Sequence, residues 1–313
     1  MEKLSFVIPC YGSELTIKSV LDEIYFVMSQ RQEYEFEIIC VNDASPDNVI
    51  SVLKECIATG LGVIIVDLAK NVGKASAVLA GYSLASGDYI IDLDDDGQCP
   101  MDRLWDLFSA IESGNDIVYA GYPEKKQSAF KNFGSRINSL MAYYLLGKPK
   151  NLTLTNFSIK KRFVIEEVKK YTGPYPYLPG IFLKTTSKIV NIPMEERERI
   201  AGHGNFTFRK SFALWMNGFT AFSVIPLRIS SLSGLVIALT GFIYGLSIIF
   251  RKLFINPHMT MGYPSIMAAL LFIGGMIMLM LGMLGEYVGR IYIAQNSLPQ
   301  YVIREIYEKT DLS

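Results

Sequence analysis

Ile90-Ile91-Asp92-Leu93-Asp94-Asp95-Asp96-Gly97-Gln98-Cys99-Pro100 sets four carboxylates within five residues at the end of an apolar run that begins at Tyr89. The run has the composition of a buried strand. Burying so many like charges is costly, and neighbouring carboxylates raise one another's pKa unless a cation intervenes. Alternate side chains of an extended chain share a face, so Asp94 and Asp96 point the same way, with the amide of Gln98 just beyond. Two carboxylates and an amide oxygen suit a hard divalent cation, Mg²⁺ or Mn²⁺, that keeps positions open for substrate oxygens. The same residues also read as an acidic turn capping a helix that starts near Met101. The surrounding chain decides between the two.

Working outward, short runs rich in Ile and Val recur at Leu4–Pro9, Phe36–Val41, Val63–Leu68, Tyr89–Leu93 and Asp116–Tyr119. Helix-like segments lie between them, at Leu15–Ser29, Asn48–Ala58, Ala75–Ala85 and Met101–Glu112. Strands alternating with helices of this length predict βαβ units and an α/β fold with a mostly parallel sheet. Ligands of such sheets bind beyond the carboxyl ends of the strands. The polar residues collect there: Pro9-Cys10-Tyr11-Gly12-Ser13-Glu14, then Asn42-Asp43-Ala44-Ser45, then Asn71-Val72-Gly73-Lys74, then the acidic cluster. Asp43 and Ser45 suit a ribose or a base edge, although Ser45-Pro46-Asp47 is also a helix N-cap. Lys74 stands where a helix begins and could meet a phosphate there, or simply be solvated.

The chain has 313 residues, with 30 Lys+Arg against 30 Asp+Glu. That balance excludes the basic excess of a nucleic-acid binder. The four cysteines form no CxxC pair, and Cys10 and Cys40 end apolar runs, as reduced core residues do. The two histidines, His203 and His258, are too far apart for a metal site or a triad. No signal peptide is visible at the start. Ile229 to Phe250 and Tyr263 to Gly285 carry no charge, and each is long enough to span a bilayer. They predict a two-helix membrane hairpin with both chain ends on one side. Before it, Phe208, Phe212, Trp215, Phe219 and Phe222 make one helical stripe beside Arg209 and Lys210, an interfacial pattern; Phe130–Leu146 carries a similar one. Gly241-xxx-Gly245 and Gly285-xxx-Gly289 permit close helix contact within a chain or between protomers, hence an expected homo-oligomer.

Together these residues resemble family 2 glycosyltransferases of GT-A fold. The resemblance rests on Val7-Ile8-Pro9-Cys10-Tyr11, Val41-Asn42-Asp43-Ala44-Ser45-Pro46-Asp47, Asn71-Val72-Gly73-Lys74 with Gly81 and Gly87-Asp88, and Asp94-Asp95-Asp96-Gly97-Gln98. It is nearest to the polyprenyl-phosphate branch, which includes bactoprenol glucosyltransferases, undecaprenyl-phosphate formamido-arabinose transferases and dolichol-phosphate mannose synthases. Arg199-Ile200-Ala201-Gly202, Asn205 to Lys210, Phe222 to Arg228 and Gly285 to Tyr292 resemble the later motifs of that branch, so nearly the whole chain is covered. Departures fall in the first loop, with Gly12-Ser13 before Glu14, and in the acidic motif, at Asp92, Asp95 and Gly97. In the acceptor loop, Thr155-Asn156-Phe157-Ser158 stands where Asp-Phe-Arg is common, and the loop after Tyr119 lacks a common Arg.

The resemblance implies an inverting transferase that moves a sugar from a nucleotide-sugar, UDP-linked, to a polyprenyl phosphate. Asp94 and Asp96 with Gln98 would hold the metal. Pro9, Tyr11, Glu14, Asp43, Ser45, Lys74 and Asp95 would hold the nucleotide-sugar, and Arg199 and Lys210 the phosphates. Asn156 would join Asp94 and Asp96 at the reaction centre. The expected organisation is a cytoplasmic GT-A domain at 1–205, an amphipathic juxtamembrane segment at 206–228, two spans within 229–289 and a cytoplasmic tail at 290–313, in a bacterial inner membrane. A processive polysaccharide synthase would add a Gln-x-x-Arg-Trp motif and more spans. A scaffold that merely retains the fold would have lost metal and nucleotide binding.

Overall fold

The computed structural model describes residues 1–122, 148–149, 152–173, 176–198, 225–255, 262–295 and 299–308. Four parallel strands, β1 (Lys3–Cys10), β2 (Glu35–Asn42), β3 (Val63–Leu68) and β4 (Tyr89–Asp92), lie side by side in the order β4-β1-β2-β3. They match the apolar runs read from the sequence. The helices joining them also match, as α1 (Ile17–Ser29), α2 (Val49–Ala58), α3 (Lys74–Leu84) and α4 (Leu104–Glu112), the last preceded by one 3₁₀ turn at Met101–Arg103. In α1 the buried residues Ile17, Val20, Leu21, Ile24, Val27 and Met28 follow the helical repeat, which turns a single apolar stripe onto the sheet. In α3 a continuous run from Ser76 to Tyr82 is buried. A Cβ at Gly81 would stand 2.5 Å from Val7 Cγ1 and 3.1 Å from Val41 Cγ2, so only glycine lets this helix sit so close to β1 and β2.

Three more strands extend the sheet beyond β4. β6 (Ser158–Lys161) runs antiparallel to β4, β5 (Ile117–Gly121) antiparallel to β6, and β7 (Ile189–Pro193) parallel to β5. α5 (Arg162–Lys169) and α6 (Leu178–Thr185) complete this half. At the other edge β8 (Ile303–Tyr307) pairs antiparallel with β3. The eight-stranded sheet is therefore mostly parallel, with only β6 and β8 reversed. The segment expected to be a tail supplies an edge strand. All four cysteines are free and buried.

Two compact units divide the chain: Met1–Gly218 with Ser297–Ser313, and Phe219–Asn296. The second holds α7 (Ile225–Phe254) and α8 (Tyr263–Gln295). In α8 the stretch Phe272–Ile293, with mean hydropathy 1.6, is long and apolar enough to cross a membrane, whereas the apolar stretch of α7 is the shorter Ser231–Ser247. By length and composition, one membrane-length helix is present among the described residues where two were expected. Large apolar side chains on both helices are open, among them Leu235, Leu239, Ile243, Leu270, Ile277 and Leu281. A Cβ at Gly234 would meet Met280 Cε at 2.8 Å. Among the described residues, no neighbour lies within 4 Å of where a Cβ would stand at Gly241, Gly245, Gly285 or Gly289. Among the described residues, close helix contact within the chain falls at Gly234. The aromatic stripe from Phe208 to Phe222 and the helix expected at Phe130–Leu146 lie outside the described residues.

Candidate active site

The carboxyl ends of β1 to β4 share one rim, and the turn into β6 reaches the same rim from the opposite direction. Beyond the end of β4, the alternation of the chain carries Asp94 onto that rim. Lys74, the first residue of α3, pairs its ammonium with Asp94 Oδ1. From the other side Asn156 Nδ2 donates to Asp94 Oδ2 at 2.7 Å. One carboxylate is thus held between a cation and an amide. Asp96 Oδ1 accepts the Gln98 N–H at 3.1 Å, and Gln98 Nε2 donates to the Arg197 carbonyl at 3.1 Å. Thr155 is spent on backbone, donating to the carbonyls of Ala120 and Phe157.

The other expected residues knit the loops together. Tyr11 N–H donates to Asp95 Oδ2 at 3.1 Å, which ties the β1 loop to the acidic turn. Burial pushes the Asp95 carboxyl above its usual range, against the pull of that N–H. Gly12 N–H donates to Ser45 Oγ at 2.8 Å, and Ser45 Oγ donates to Asp47 at 2.6 Å. Glu14 N–H donates to Asp47, and Glu14 Oε2 accepts the Asn48 N–H at 3.2 Å, at the start of α2. Asp43 is 3% exposed, and its two oxygens accept the N–H groups of Val72 at 2.7 Å and Gly73 at 2.9 Å. Gly73 has φ +85° and ψ 156°, a conformation open essentially to glycine alone, and it aims that N–H at Asp43. Burial raises the Asp43 carboxyl, opposed by these two donors. Pro9 is buried while Tyr11 is 46% exposed, so Tyr11 offers a ring face at the rim. Arg199 and Lys210 lie outside the described residues.

The donor chemistry fits a divalent cation. Asp94 and Asp96 are hard oxygen donors, and Asp94 already binds a cation, the Lys74 ammonium. Among the described residues no group of three or more His, Cys, Asp or Glu gathers as a metal cluster. Water and substrate oxygens would therefore complete the coordination.

Two residues escaped the sequence. Arg197 exchanges hydrogen bonds with Gln98 through its backbone and pairs with Glu23 at 2.6 Å and with Asp102. It lies in a charged run, Glu195 to Arg199, that offered no spacing to single it out. Lys160 is wholly buried, with Nζ 2.5 Å from Asp92 Oδ2. The pattern of β6, Ser158-Ile159-Lys160-Lys161, gave no sign of it. Beyond Pro100 a cleft of about 740 Å³ opens between Arg103, Tyr122, Thr153, Glu195 and Arg197.

Residues 5–169 match the model of Glycosyl transferase family 2, and residues 225–291 match that of the GtrB C-terminal hairpin. The chain is 31% identical over 308 residues to a prophage bactoprenol glucosyl transferase homolog of Escherichia coli, covering 97% of this chain and 99% of that one. It is 30% identical to the undecaprenyl-phosphate 4-deoxy-4-formamido-L-arabinose transferase of Serratia proteamaculans, over 98% of this chain and 94% of that one. Among solved structures, glucosyl-3-phosphoglycerate synthase of Mycobacterium tuberculosis, in complex with Mn²⁺ and UDP-glucose, aligns at a TM-score of 0.50 and 18% identity. That alignment covers 70% of this chain and 77% of that one, and it shows a shared fold.

Proposed function

The chain belongs to glycosyl transferase family 2, and we propose that it transfers a single sugar from a UDP-linked donor to the phosphate of a polyprenyl lipid, at the cytoplasmic face of a bacterial inner membrane. The observation that carries the site is the convergence on Asp94 of Lys74 from α3 and Asn156 from the turn into β6. The acceptor class is supported by full-length relatives named for bactoprenol and undecaprenyl phosphate.

Asp94 and Asp96, with Gln98, would hold a divalent cation, Mg²⁺ or Mn²⁺, which when bound neutralises the donor diphosphate and stabilises it as a leaving group. Lys74 adds a positive charge at the same place. The crosslinked loops carrying Pro9, Tyr11, Glu14, Asp43, Ser45 and Asp95 form the nucleoside end of the site. Arg199 and Lys210 are assigned to phosphate contacts, Arg199 through its planar fork. An oxygen of the acceptor phosphate attacks the anomeric carbon. The bond from that carbon to the diphosphate breaks, and UDP departs with the electron pair. One in-line displacement inverts the anomeric centre. A phosphate monoester has a second pKa of about 6, so it arrives largely as the dianion and needs no base. Asn156 supplies a neutral hydrogen bond that adds no repulsion.

The membrane arrangement is supported by β8. The chain leaves the sheet unit before α7 and returns to pair β8 with β3, as a chain with an even number of crossings would. In this reading α7 would cross beside α8, its shorter apolar stretch extended by the flanks of a 30-residue helix. The glycine faces left open on α7 and α8 are where protomers would meet; a strict monomer in detergent would remove that part. The test of the site uses full-length protein in membranes. EDTA abolishes transfer and added Mn²⁺ or Mg²⁺ restores it, while Asp96→Ala folds and inserts but stays inactive. Full activity in excess EDTA would end the metal assignment.

A further inference from the structure

Lys160 is a buried cation beside the site that the reaction does not use. β4 and β6 pair as Tyr89↔Lys161, Ile90↔Lys160, Ile91↔Ile159 and Asp92↔Ser158. Carried two residues further, the same antiparallel register sets Asp94 opposite Asn156, the pair joined at 2.7 Å. One face of this ribbon is apolar: Ile91, Leu93, Phe157 and Ile159 all enter the core. That face cannot fix the register, because a slip of two residues still points Ile and Phe inward.

The other face can. Lys160 Nζ reaches Asp92 Oδ2 at 2.5 Å and Ser158 Oγ at 2.7 Å, and Tyr82 OH donates to the same Asp92 oxygen at 2.5 Å. The Phe182 ring centroid lies 4.9 Å from the ammonium, and Tyr119 lies at 5.9 Å. Lys160 is 0% exposed and Asp92 14%, so a slip of the strands would leave the ammonium without water or partner and the carboxylate only partly hydrated. Burial pulls the Lys160 pKa down and Asp92 opposes it. A two-residue slip moves the partners about 7 Å apart and leaves the buried Lys160 charge unpaired.

We propose that the Lys160–Asp92 pair is a register lock that positions Asn156 against Asp94 and so sets the geometry of the catalytic carboxylate. Both are positioning residues, one rung below the reaction centre. The proposal rests on the reading of Asp94 as that centre.

The test is a mutant cycle on full-length protein, reading melting temperature, donor KM and kcat. The first background is wild type. The second replaces the buried polar set by apolar groups of similar volume, Asp92→Leu with Lys160→Met and Tyr82→Phe, a kind of exchange that often keeps or raises stability. The expected result is an unchanged melting temperature and donor KM, with kcat lower by about 10²-fold, the usual cost of an ångström-scale misplacement. Asn156→Ala lowers kcat in wild type and adds nothing in the apolar background, because the two act through one contact. Wild-type kcat in the apolar background, or an equal cost of Asn156→Ala in both, overturns the lock. Lys160→Arg keeps the charge pair and with it the register, so kcat stays near wild type with donor KM unchanged; a loss of kcat there equal to that of the apolar background, at an unchanged melting temperature, also overturns it. Asp94→Ala separates the two claims. If it is inactive while the cycle is additive, only the lock fails; if it is fully active, the site reading falls and takes the lock with it.

Discussion

Asp94 serves two neighbours with one carboxylate, and the pair explains why a neutral residue is tolerated at 156. Lys74 holds Oδ1 and Asn156 holds Oδ2. An aspartate at 156 would set a second negative charge against Asp94 at hydrogen-bond distance, in the place proposed for the donor diphosphate and acceptor phosphate. A general base is typically worth about 10²–10⁴-fold when a hydroxyl must be deprotonated, but a phosphate dianion has no proton to lose. We predict that Asn156→Ala costs less than Asp94→Ala or Asp96→Ala, and that Asn156→Asp gives no acceleration at neutral pH. The rate falls below about pH 6, as protonation of the acceptor phosphate withdraws the nucleophile. A pH–rate profile with saturating donor and lipid phosphate checks all three, and a large gain from Asn156→Asp would restore proton chemistry to this loop. Of these contacts, the sequence singled out Asp94, Lys74 and Asn156 one by one. It did not show that Lys74 and Asn156 meet on Asp94, because they lie 20 and 62 residues away and only the sheet brings them together.

The elements divide by how much their own pattern says. β1 to β4 and α1 to α4 were legible because each carries an apolar run or a helical stripe of its own. β6 and β8 were not. β6 is four residues long with two lysines, and Ile303-Arg304-Glu305-Ile306-Tyr307 alternates weakly in a charged tail. Both are fixed by partners far along the chain. β8 does more than cover an edge. Arg304 Nη1 reaches Asp67 Oδ2 at 3.2 Å, Asp67 Oδ1 accepts from Asn42 Nδ2 at 2.7 Å, and Asn42 Oδ1 accepts the Ser45 N–H at 3.1 Å. The strand that follows α8 is thereby joined to the β2 loop, the part of the site proposed to hold the nucleoside. Ending the chain before Ile303 strips β3 of its partner and leaves Asp67 with one donor fewer. The expected cost is about 2 kcal/mol of stability for the apolar side chains uncovered. Donor affinity should also fall, by about fivefold or more, the lower range of ordinary coupling between sites. Thermal melts and UDP titration check it; an unaltered UDP affinity would show that the connection carries no coupling.

At the scale of the whole molecule, β8 changes how the hairpin must be removed. From the sequence, cutting after Arg228 leaves the core of the sheet intact; in the structure that cut also removes its edge strand β8. The informative variant replaces residues 219–296 with a flexible linker and keeps both parts of the sheet unit. We expect it to fold and bind UDP but to lose transfer to a long-chain lipid phosphate. Wild-type turnover of that acceptor would reduce the hairpin to a tether. The identity of the sugar was not legible in the sequence, because loops rather than periodic elements choose it. The ordered motifs of the sheet loops, by contrast, did foretell a family 2 glycosyltransferase. The central claim is transfer of one sugar to a polyprenyl phosphate. It is tested most directly by incubating full-length protein in membranes with undecaprenyl phosphate, Mn²⁺ and a panel of UDP-sugars, then weighing the lipid. The account predicts a product heavier by one sugar residue with at least one donor, absent with Asp96→Ala. Lipid of unchanged mass with every donor, or a ladder of several sugars, would contradict it.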